Sequence, residues 1–327
     1  MQDRFTLLPI PINISLHKRL FASVESGHSD GRVLVARNIC QTLKVSRCTI
    51  HEFCQDMNVS DDVMFECVDC KAARNLKICL YPTPSDVYVS GFIRNFGSWE
   101  LDLNKAIMGA LNFYQNAAFL DIGANIGMHS LVAARRGKRV FAVEPNVDTV
   151  KRLHKSINLN RLHENFTLIT NGISDVRENL TLLIDETNRG RSSIVLNAGA
   201  GRQPIKTVLF DDLLEVIDVP QVVIKIDIEG AEARAFRFSK EFFLKVNVKV
   251  IFMEWVNLKT SLLYGQPAGL NIDKRDLDDL LQMVENFQSL GFVPKRINMP
   301  FTKIIKSREN LTRTHMFRWP NDIVWVR

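Results

Sequence analysis

The chain has 327 residues, 46% hydrophobic and 24% charged, enough for one large domain or two modest ones and inconsistent with wholesale disorder. Basic residues outnumber acidic ones by 42 to 36, a net charge of +6. No stretch approaches the roughly 18–20 apolar residues that span a bilayer, so no transmembrane segment is expected.

The first residues, MQDRFTLLPIPINISLHKRL, are broken by Pro9, Pro11 and Asn13 too early for a signal-peptide core. That reads as a cytoplasmic chain. The secretory-pathway lumen is the alternative, because Cys40, Cys48, Cys54, Cys67, Cys70 and Cys79 cluster and sequons occur at Asn13, Asn58, Asn165, Asn179 and Asn310. Three states of the cysteines stay open: disulfides, free thiols, or a zinc knuckle on His51, Cys54, Cys67 and Cys70. Tyr81–Asp86 (YPTPSD), with two prolines, is the linker candidate, dividing a Cys-rich extension at 1–85 from a domain at 86–327.

Beyond it, short apolar runs alternate with helical periodicity, the pattern of a parallel α/β sheet. Ala118–Ile122 reads as a buried strand, Ile126–Arg136 as a helix and Arg139–Val143 as a second strand. Asp148 is the expected N-cap of the next helix, with Val150, Leu153, His154 and Ile157 on one face. Phe166–Thr170 is a third strand, followed by a polar excursion from Gly172 to about Gln203. Val222–Asp227 and Val248–Trp255 are further strands. Leu277, Leu280, Leu281, Val284 and Phe287 form the stripe of a late helix, and Asp322–Val326 is the last strand. The expected fold is a doubly wound, mostly parallel seven-stranded Rossmann-like sheet with a small N-terminal extension.

The informative stretch is FLDIGANIGMH, from Phe119 to His129. Gly123 allows a sharp turn and leaves room for a ligand against the backbone, and Gly127 lets the helix pack closely on the strand. Twenty-one residues after Gly123, Glu144 in AVEPN stands where an acid can accept both hydroxyls of a ribose. A nicotinamide fingerprint needs G-x-G-x-x-G, yet Asn125 follows two residues after Gly123. Asp121 beside the loop repels a pyrophosphate but suits an ammonium and a sulfonium, which favours S-adenosylmethionine over NAD.

These residues place the chain near a known group. From about Asp86 to Arg327 it resembles the FkbM family of class I S-adenosylmethionine-dependent methyltransferases. The resemblance rests on SGFIRNFGSWE at Ser90–Glu100, LDIGANIG, VEPN, GISD at Gly172–Asp175, NRGRSSI at Asn188–Ile194, FDDLL at Phe210–Leu214 and IKIDIEGAE at Ile224–Glu232. It implies that Asp121, Gly123, Asn125 and Gly127 frame the methionine end of the cofactor and that Glu144 holds the ribose. Asn171, Gly172 and Ile173 would flank the adenine, and Glu100 would reach the amino or carboxylate end.

An acceptor hydroxyl must lose its proton as the methyl moves, and in an open α/β sheet it approaches the carboxyl ends of the strands. Asp227, Glu229 and Glu254 are the catalytic candidates there, Asp227 first. Glu229 and Glu232 also suit a turn or helix cap, Lys225 suits a partner for one of these acids, and His129 is a bystander more readily than a base. No His/Asp constellation argues for a catalytic metal.

The turn Asp/Asn-Pro-Pro-Tyr/Phe is missing, and no cysteine follows Cys79, which excludes covalent cytosine methylation. O-methylation of a hydroxyl on a sugar, small molecule or glycoconjugate is therefore the expected activity. Rival readings are an inactive S-adenosylmethionine-binding module, an NAD-dependent oxidoreductase and a nucleic-acid methyltransferase. Nucleic acid is not an expected partner, since the run Arg135-Arg136-Gly137-Lys138-Arg139 suits a solvated helix end. The charge excess is local: residues 295–327 hold eight Lys or Arg and two acids, and the other 294 balance at 34 against 34.

Overall fold

The structure, a computed structural model, describes residues 64–185, 189, 193–195, 202–258 and 274–327. All belong to the compact unit Thr49–Arg327. Cys40, Cys48, Cys54, His51, Asn13 and Asn58 lie outside the described residues.

A short hairpin, β1 (Cys67–Asp69) and β2 (Lys77–Cys79), precedes two helices, α1 (Val89–Phe96) and α2 (Leu101–Phe113). The sheet then begins with β3 (Ala118–Ile122), α3 (Met128–Arg135), β4 (Val140–Val143), α4 (Val147–Asn160) and β5 (Phe166–Ile169). A small sheet follows from β6 (Gly172–Ile173), β7 (Asn179–Leu183), β8 (Ser193–Val195) and β9 (Arg202–Val208). The main sheet resumes with β10 (Gln221–Ile226), α5 (Glu232–Ala235), α6 (Lys240–Lys245) and β11 (Asn247–Glu254). It closes with α7 (Lys274–Ser289), β12 (Val293–Arg296), α8 (Phe301–Lys306) and β13 (Asp322–Val326).

The seven-stranded order is β12-β13-β11-β10-β3-β4-β5, parallel except where β13 pairs antiparallel with β11 and β12. Side chains alternate across each strand, and both faces are covered. Phe119, Val140, Val223 and Phe252 enter one core with residues of α2, α3 and α4. Leu120, Phe141, Ile224 and Ile251 enter the other with α5, α6 and α7. The chain builds β3, β4 and β5 in one direction and then returns to lay β10 on the other side of β3. The resulting switch point, where ligands bind in open α/β sheets, lies between β3 and β10.

Several sequence expectations are corrected in detail. The N-cap of α4 is Asn146, whose Oδ1 accepts the amides of Asp148 at 3.0 Å and Thr149 at 3.5 Å. Asp148 sits inside the first turn and pairs with Arg189. Asn146→Ala should therefore destabilise the fold by about 1 kcal/mol and Asp148→Ala by less, as measured by denaturant unfolding; the reverse order would refute the cap assignment. The excursion from Gly172 carries the strands of a small sheet, ordered β6-β9-β7-β8, with Leu180, Leu182 and Ile205 as its own apolar cluster.

Tyr81–Asp86 is no loose linker. Tyr81 is buried, its hydroxyl 2.8 Å from Thr149 Oγ1, and the wholly buried Asp86 caps α1 by accepting the amides of Val89 and Ser90. The preceding hairpin docks on α4, where Asn160 bonds both backbone groups of Lys77 and Ser156 Oγ accepts the Cys79 amide. Leu76, Ile78 and Leu80 join the same core as α4.

Cys67 and Cys79, opposite one another in the hairpin, form a disulfide. Cys67 is thus unavailable to a zinc knuckle with Cys70. Cys70 is a buried free thiol 3.8 Å from Met128 Sδ, and burial pushes its pKa up, which favours the unreactive thiol. The sequon residues Asn165, Asn179 and Asn310 are exposed. Among the described residues no helix is long and apolar enough to cross a membrane.

Candidate functional site

A cavity of about 320 Å³ opens at the switch point, within the usual range of small-ligand sites. Its floor is the loop between β3 and α3, pinned to the end of β4 by the amides of Gly123 and Ala124, which both donate to the Val143 carbonyl at 2.9 and 3.0 Å. Asn125 takes a left-handed conformation (φ 52°), and its amide donates to Glu144 Oε2 at 2.9 Å. Glu144 Oε1 accepts the Asn146 amide at 2.9 Å. One carboxylate thus orients both the glycine loop and the start of α4. Burial pushes its pKa up to about 7, despite the two amides that favour the ionised form.

The glycines act differently from expectation. A Cβ on Gly123 (φ 79°) would lie 1.8 Å from the Asp227 carbonyl oxygen, so its bareness admits the neighbouring strand end, and Gly123 also lines the cavity. A Cβ on Gly127 would meet Leu153 Cδ1 at 2.3 Å, so that glycine lets α3 approach α4, a helix rather than a strand.

An ion pair underlies the loop. Lys225 and Asp121 are register partners on β10 and β3, and both point toward the α3 face. Lys225 Nζ donates to Asp227 Oδ2 at 3.1 Å and to the Gly123 carbonyl at 3.2 Å, and lies 3.9 Å from Asp121 Oδ1. Burial works against its charge, but Asp227, Asp121 and Glu100 outweigh that and hold its pKa above the ordinary lysine value. Asp121 is wholly buried, and burial raises its pKa against the pull of Lys225. Its Oδ2 accepts Ser130 Oγ at 2.6 Å, while Oδ1 has no hydrogen-bond partner.

Glu100, left-handed at φ 45°, heads α2 and faces the cavity. Burial opposes its ionisation, but the hydrogen bond and charge of His129, with Lys225 beyond, bring its pKa below the usual value. Asn104 Nδ2 lies 3.2 Å from His129 Nδ1, and His129 Nε2 lies 3.2 Å from Glu100 Oε2. Both ring nitrogens are engaged, so His129 positions Glu100.

Asn171, Gly172 and Ile173 line the cavity beyond β5, and Asn171 Nδ2 donates to the Lys206 carbonyl. Across the cavity, the strand ends of β10 and β11 bring Asp227, Glu229 and Glu254 to its wall. Asn257 Nδ2 bridges Glu229 and Glu254 at 2.7 Å each. Burial and the neighbouring charges of Asp227, Glu229, Glu232 and Asp322 push Glu254 up to about 10. Glu232, wholly buried at the start of α5, accepts the Ile228 amide at 2.9 Å.

The geometry adds Trp99, Arg189, Asn257 and Asp322 to the residues named from the sequence. Trp99 and Arg189 reach the cavity from segments distant in the chain, and Asp322 acts on the acids through its charge. Trp99 and Arg189 lie within the SGFIRNFGSWE and NRGRSSI motifs and Asn257 three residues after Glu254, whereas no local pattern marks Asp322. Other motif acids serve the scaffold. Asp175 pairs with Arg234 and Arg237, and Asp212 accepts two hydrogen bonds from Arg177. The basic run after α3 is also tied down: Arg135 donates to the Arg74 carbonyl, Lys138 to those of Leu111 and Gln115, and Arg139 to Thr167 Oγ1.

Residues 121–294, more than half of the chain, match the family model described as the methyltransferase FkbM domain. Among curated proteins, none matches this chain in sequence. Similar solved structures include the O-methyltransferase TomG from Streptomyces achromogenes in complex with SAM, at 10% identity, covering 76% of this chain and 91% of that one, with a TM-score of 0.41. An O-methyltransferase from Bacillus cereus in complex with SAH is similar at 11% identity, 75% and 93% coverage and a TM-score of 0.39. The precorrin-6y C5,15-methyltransferase from Geobacter metallireducens GS-15 is similar at 14% identity, 71% and 93% coverage and a TM-score of 0.34. By the extent of the family match, the chain belongs to the FkbM methyltransferase domain family.

Proposed function

We propose that the chain is an S-adenosylmethionine-dependent O-methyltransferase acting on a hydroxyl of a sugar, small molecule or glycoconjugate. The observation that carries the reading is Glu144, a carboxylate held by two backbone amides at the rim of the glycine-loop cavity. The lining fits the cofactor electrostatically. Glu100, Asp227 and Glu229 line the cavity, with Lys225 and Arg189 as basic residues and Asp121 buried beneath the glycine loop, a balance that suits an ammonium and a sulfonium and opposes a pyrophosphate.

When bound, S-adenosylmethionine supplies a methyl group on a sulfonium, transferred by in-line displacement. Glu144 would accept the ribose hydroxyls, Asn171, Gly172 and Ile173 would flank the adenine, and Glu100 with Asp121 would face the amino-acid end. Asn125 and Gly127 would shape the loop under it. Asp227 would receive the acceptor's proton, because burial and the neighbouring acids push Glu254 toward its protonated form. Glu229, tied to Asn257, would orient the acceptor side.

Titration calorimetry with S-adenosylmethionine and NAD tests the reading. Donor affinity should rise about tenfold from pH 6 to pH 8, because ribose hydroxyls bond the ionised form of a carboxyl whose pKa stands at about 7. Glu144→Ala should weaken binding by about 1–3 kcal/mol and flatten that pH dependence. Binding of NAD without S-adenosylmethionine would overturn the assignment. Donor binding without transfer of labelled methyl to any component of a cell extract would favour an inactive binding module.

A further inference from the structure

The basic excess of the C-terminal residues is used in two ways. Lys295 is buried and donates from Nζ to the carbonyls of Ile304 at 3.2 Å and Ser307 at 2.6 Å. Arg313 pairs with Glu285 at 2.7 Å, and Arg327 donates to Asn247 Oδ1 at 2.7 Å. Arg296, Arg308 and Arg318 have no such partner: among the described residues, none of the three takes part in a hydrogen bond or an ion pair.

These three arginines stand on separate stretches, at the end of β12, just after α8 and at the end of a 3₁₀ helix, Arg313–Arg318. All three nevertheless line one cavity of about 670 Å³, a volume typical of small-ligand sites. Glu309 is the one carboxylate in that lining and pairs with none of them. No residue of this lining belongs to the glycine-loop cavity.

The walls are fixed by the chain's own contacts. Lys295 ties the end of α8 to β12, and the Leu311 amide donates to the Pro294 carbonyl at 2.8 Å, holding the following segment along the sheet edge. Trp319 is buried, packs on Trp255 with ring centroids 4.7 Å apart, and donates from Nε1 to the Thr312 carbonyl at 3.0 Å. A single arginine on a convex surface is satisfied by water. Three that share one concavity without a counterion focus a positive field into it.

We propose that this cavity binds the terminal phosphate or sulfate ester group of a small molecule. Guanidinium groups keep their charge at any ordinary pH, and their planar forks of N–H donors match the oxygens of such an ester. A terminal phosphate offers three acceptor oxygens to three arginines, where a carboxylate offers two. The site stands independently of the methyltransferase reading, because the two cavities share no residue.

Titration calorimetry of the full chain with a hexose phosphate, a hexose sulfate and the unmodified hexose tests the site. At least one ester should bind one per chain, more weakly as salt is added, and the unmodified hexose should not bind. Binding of one ester alone identifies its group as the source of the anion; binding of both assigns the shared chemistry. Arg308→Gln and Arg318→Gln should each weaken ester binding about fivefold or more. Arg136→Gln, which removes the same charge from an exposed position outside the cavity, should leave it unchanged. Thermal melting checks that the variants are folded.

Binding of neither ester, equal binding of the unmodified hexose, or ester binding that folded Arg308 and Arg318 variants leave intact overturns the proposal. S-adenosylmethionine titrated into the same samples keeps the two readings apart. Its affinity should not change in the arginine variants, and its failure to bind would count against the methyltransferase reading alone.

Discussion

Gly123→Ala should cost about 3–5 kcal/mol of stability and abolish donor binding, whereas Gly137→Ala should cost only about 1 kcal/mol. Both glycines have positive φ, 79° and 77°, so the intrinsic backbone penalty is the same. Their surroundings differ. A Cβ at Gly137 meets nothing within 4 Å, while one at Gly123 lies 1.8 Å from the Asp227 carbonyl oxygen. That oxygen is backbone and cannot swing aside, because the Asp227 amide is bonded to the Ile122 carbonyl at 3.0 Å. Relief would require β3 and β10 to part at the switch point, where the donor would bind. Denaturant unfolding of the two variants measures the difference. A gap below about 1 kcal/mol would mean that the two strand ends do not approach as described.

Lys225→Met should destabilise the protein by about 3–5 kcal/mol near neutral pH, with a loss that shrinks toward pH 5. Methionine replaces the stem but leaves Asp121, Asp227 and Glu100 without their shared cation. Asp121 is wholly buried and has only Ser130 as a hydrogen-bond partner, so it would escape by taking up a proton. The sign follows from that uptake. Carboxyls whose pKa is higher in the folded state than in the unfolded state bind more protons when folded, so stability falls as pH rises through that interval. Below the unfolded carboxyl range both states are protonated and the variant loses least. Melting temperatures of both proteins from pH 5 to pH 8 check this, and a loss independent of pH would show that Lys225 acts by packing rather than charge.

Much of the main sheet was legible because apolar runs and helical stripes are local properties. Ala118–Ile122 and Asp322–Val326 appear with the expected bounds, and the face carrying Val150, Leu153 and Ile157 is buried. Strand β12 was not legible. Its four residues, VPKR, contain a proline and two cations, yet the strand pairs with β13 at the sheet edge. Lys295 is buried there, donating to the carbonyls of Ile304 and Ser307, so part of the C-terminal charge excess serves the scaffold rather than a surface patch. The cap of α4 was misplaced by two residues because Asn146 and Asp148 are both good acceptors. Which of them caps depends on where the chain turns after β4, and a propensity does not encode that.

The candidate site divides along the same line. The glycine loop, its flanking Asp121 and the later Glu144 could be read directly, since a strand-turn-helix motif places its residues through short-range geometry. The pairing of Asp121 with Lys225 could not, because it depends on the parallel register of two strands more than a hundred residues apart. Nor could the convergence of Asp227, Glu232 and Glu254, which needs β10 beside β11 and α5 folded back over their ends. The sequence by itself determined the doubly wound class and the family, because periodicity and contiguous motifs survive without long-range contacts. Only the tertiary structure decided which acids are buried together, because desolvation and like-charge crowding arise between residues that the chain alone keeps apart.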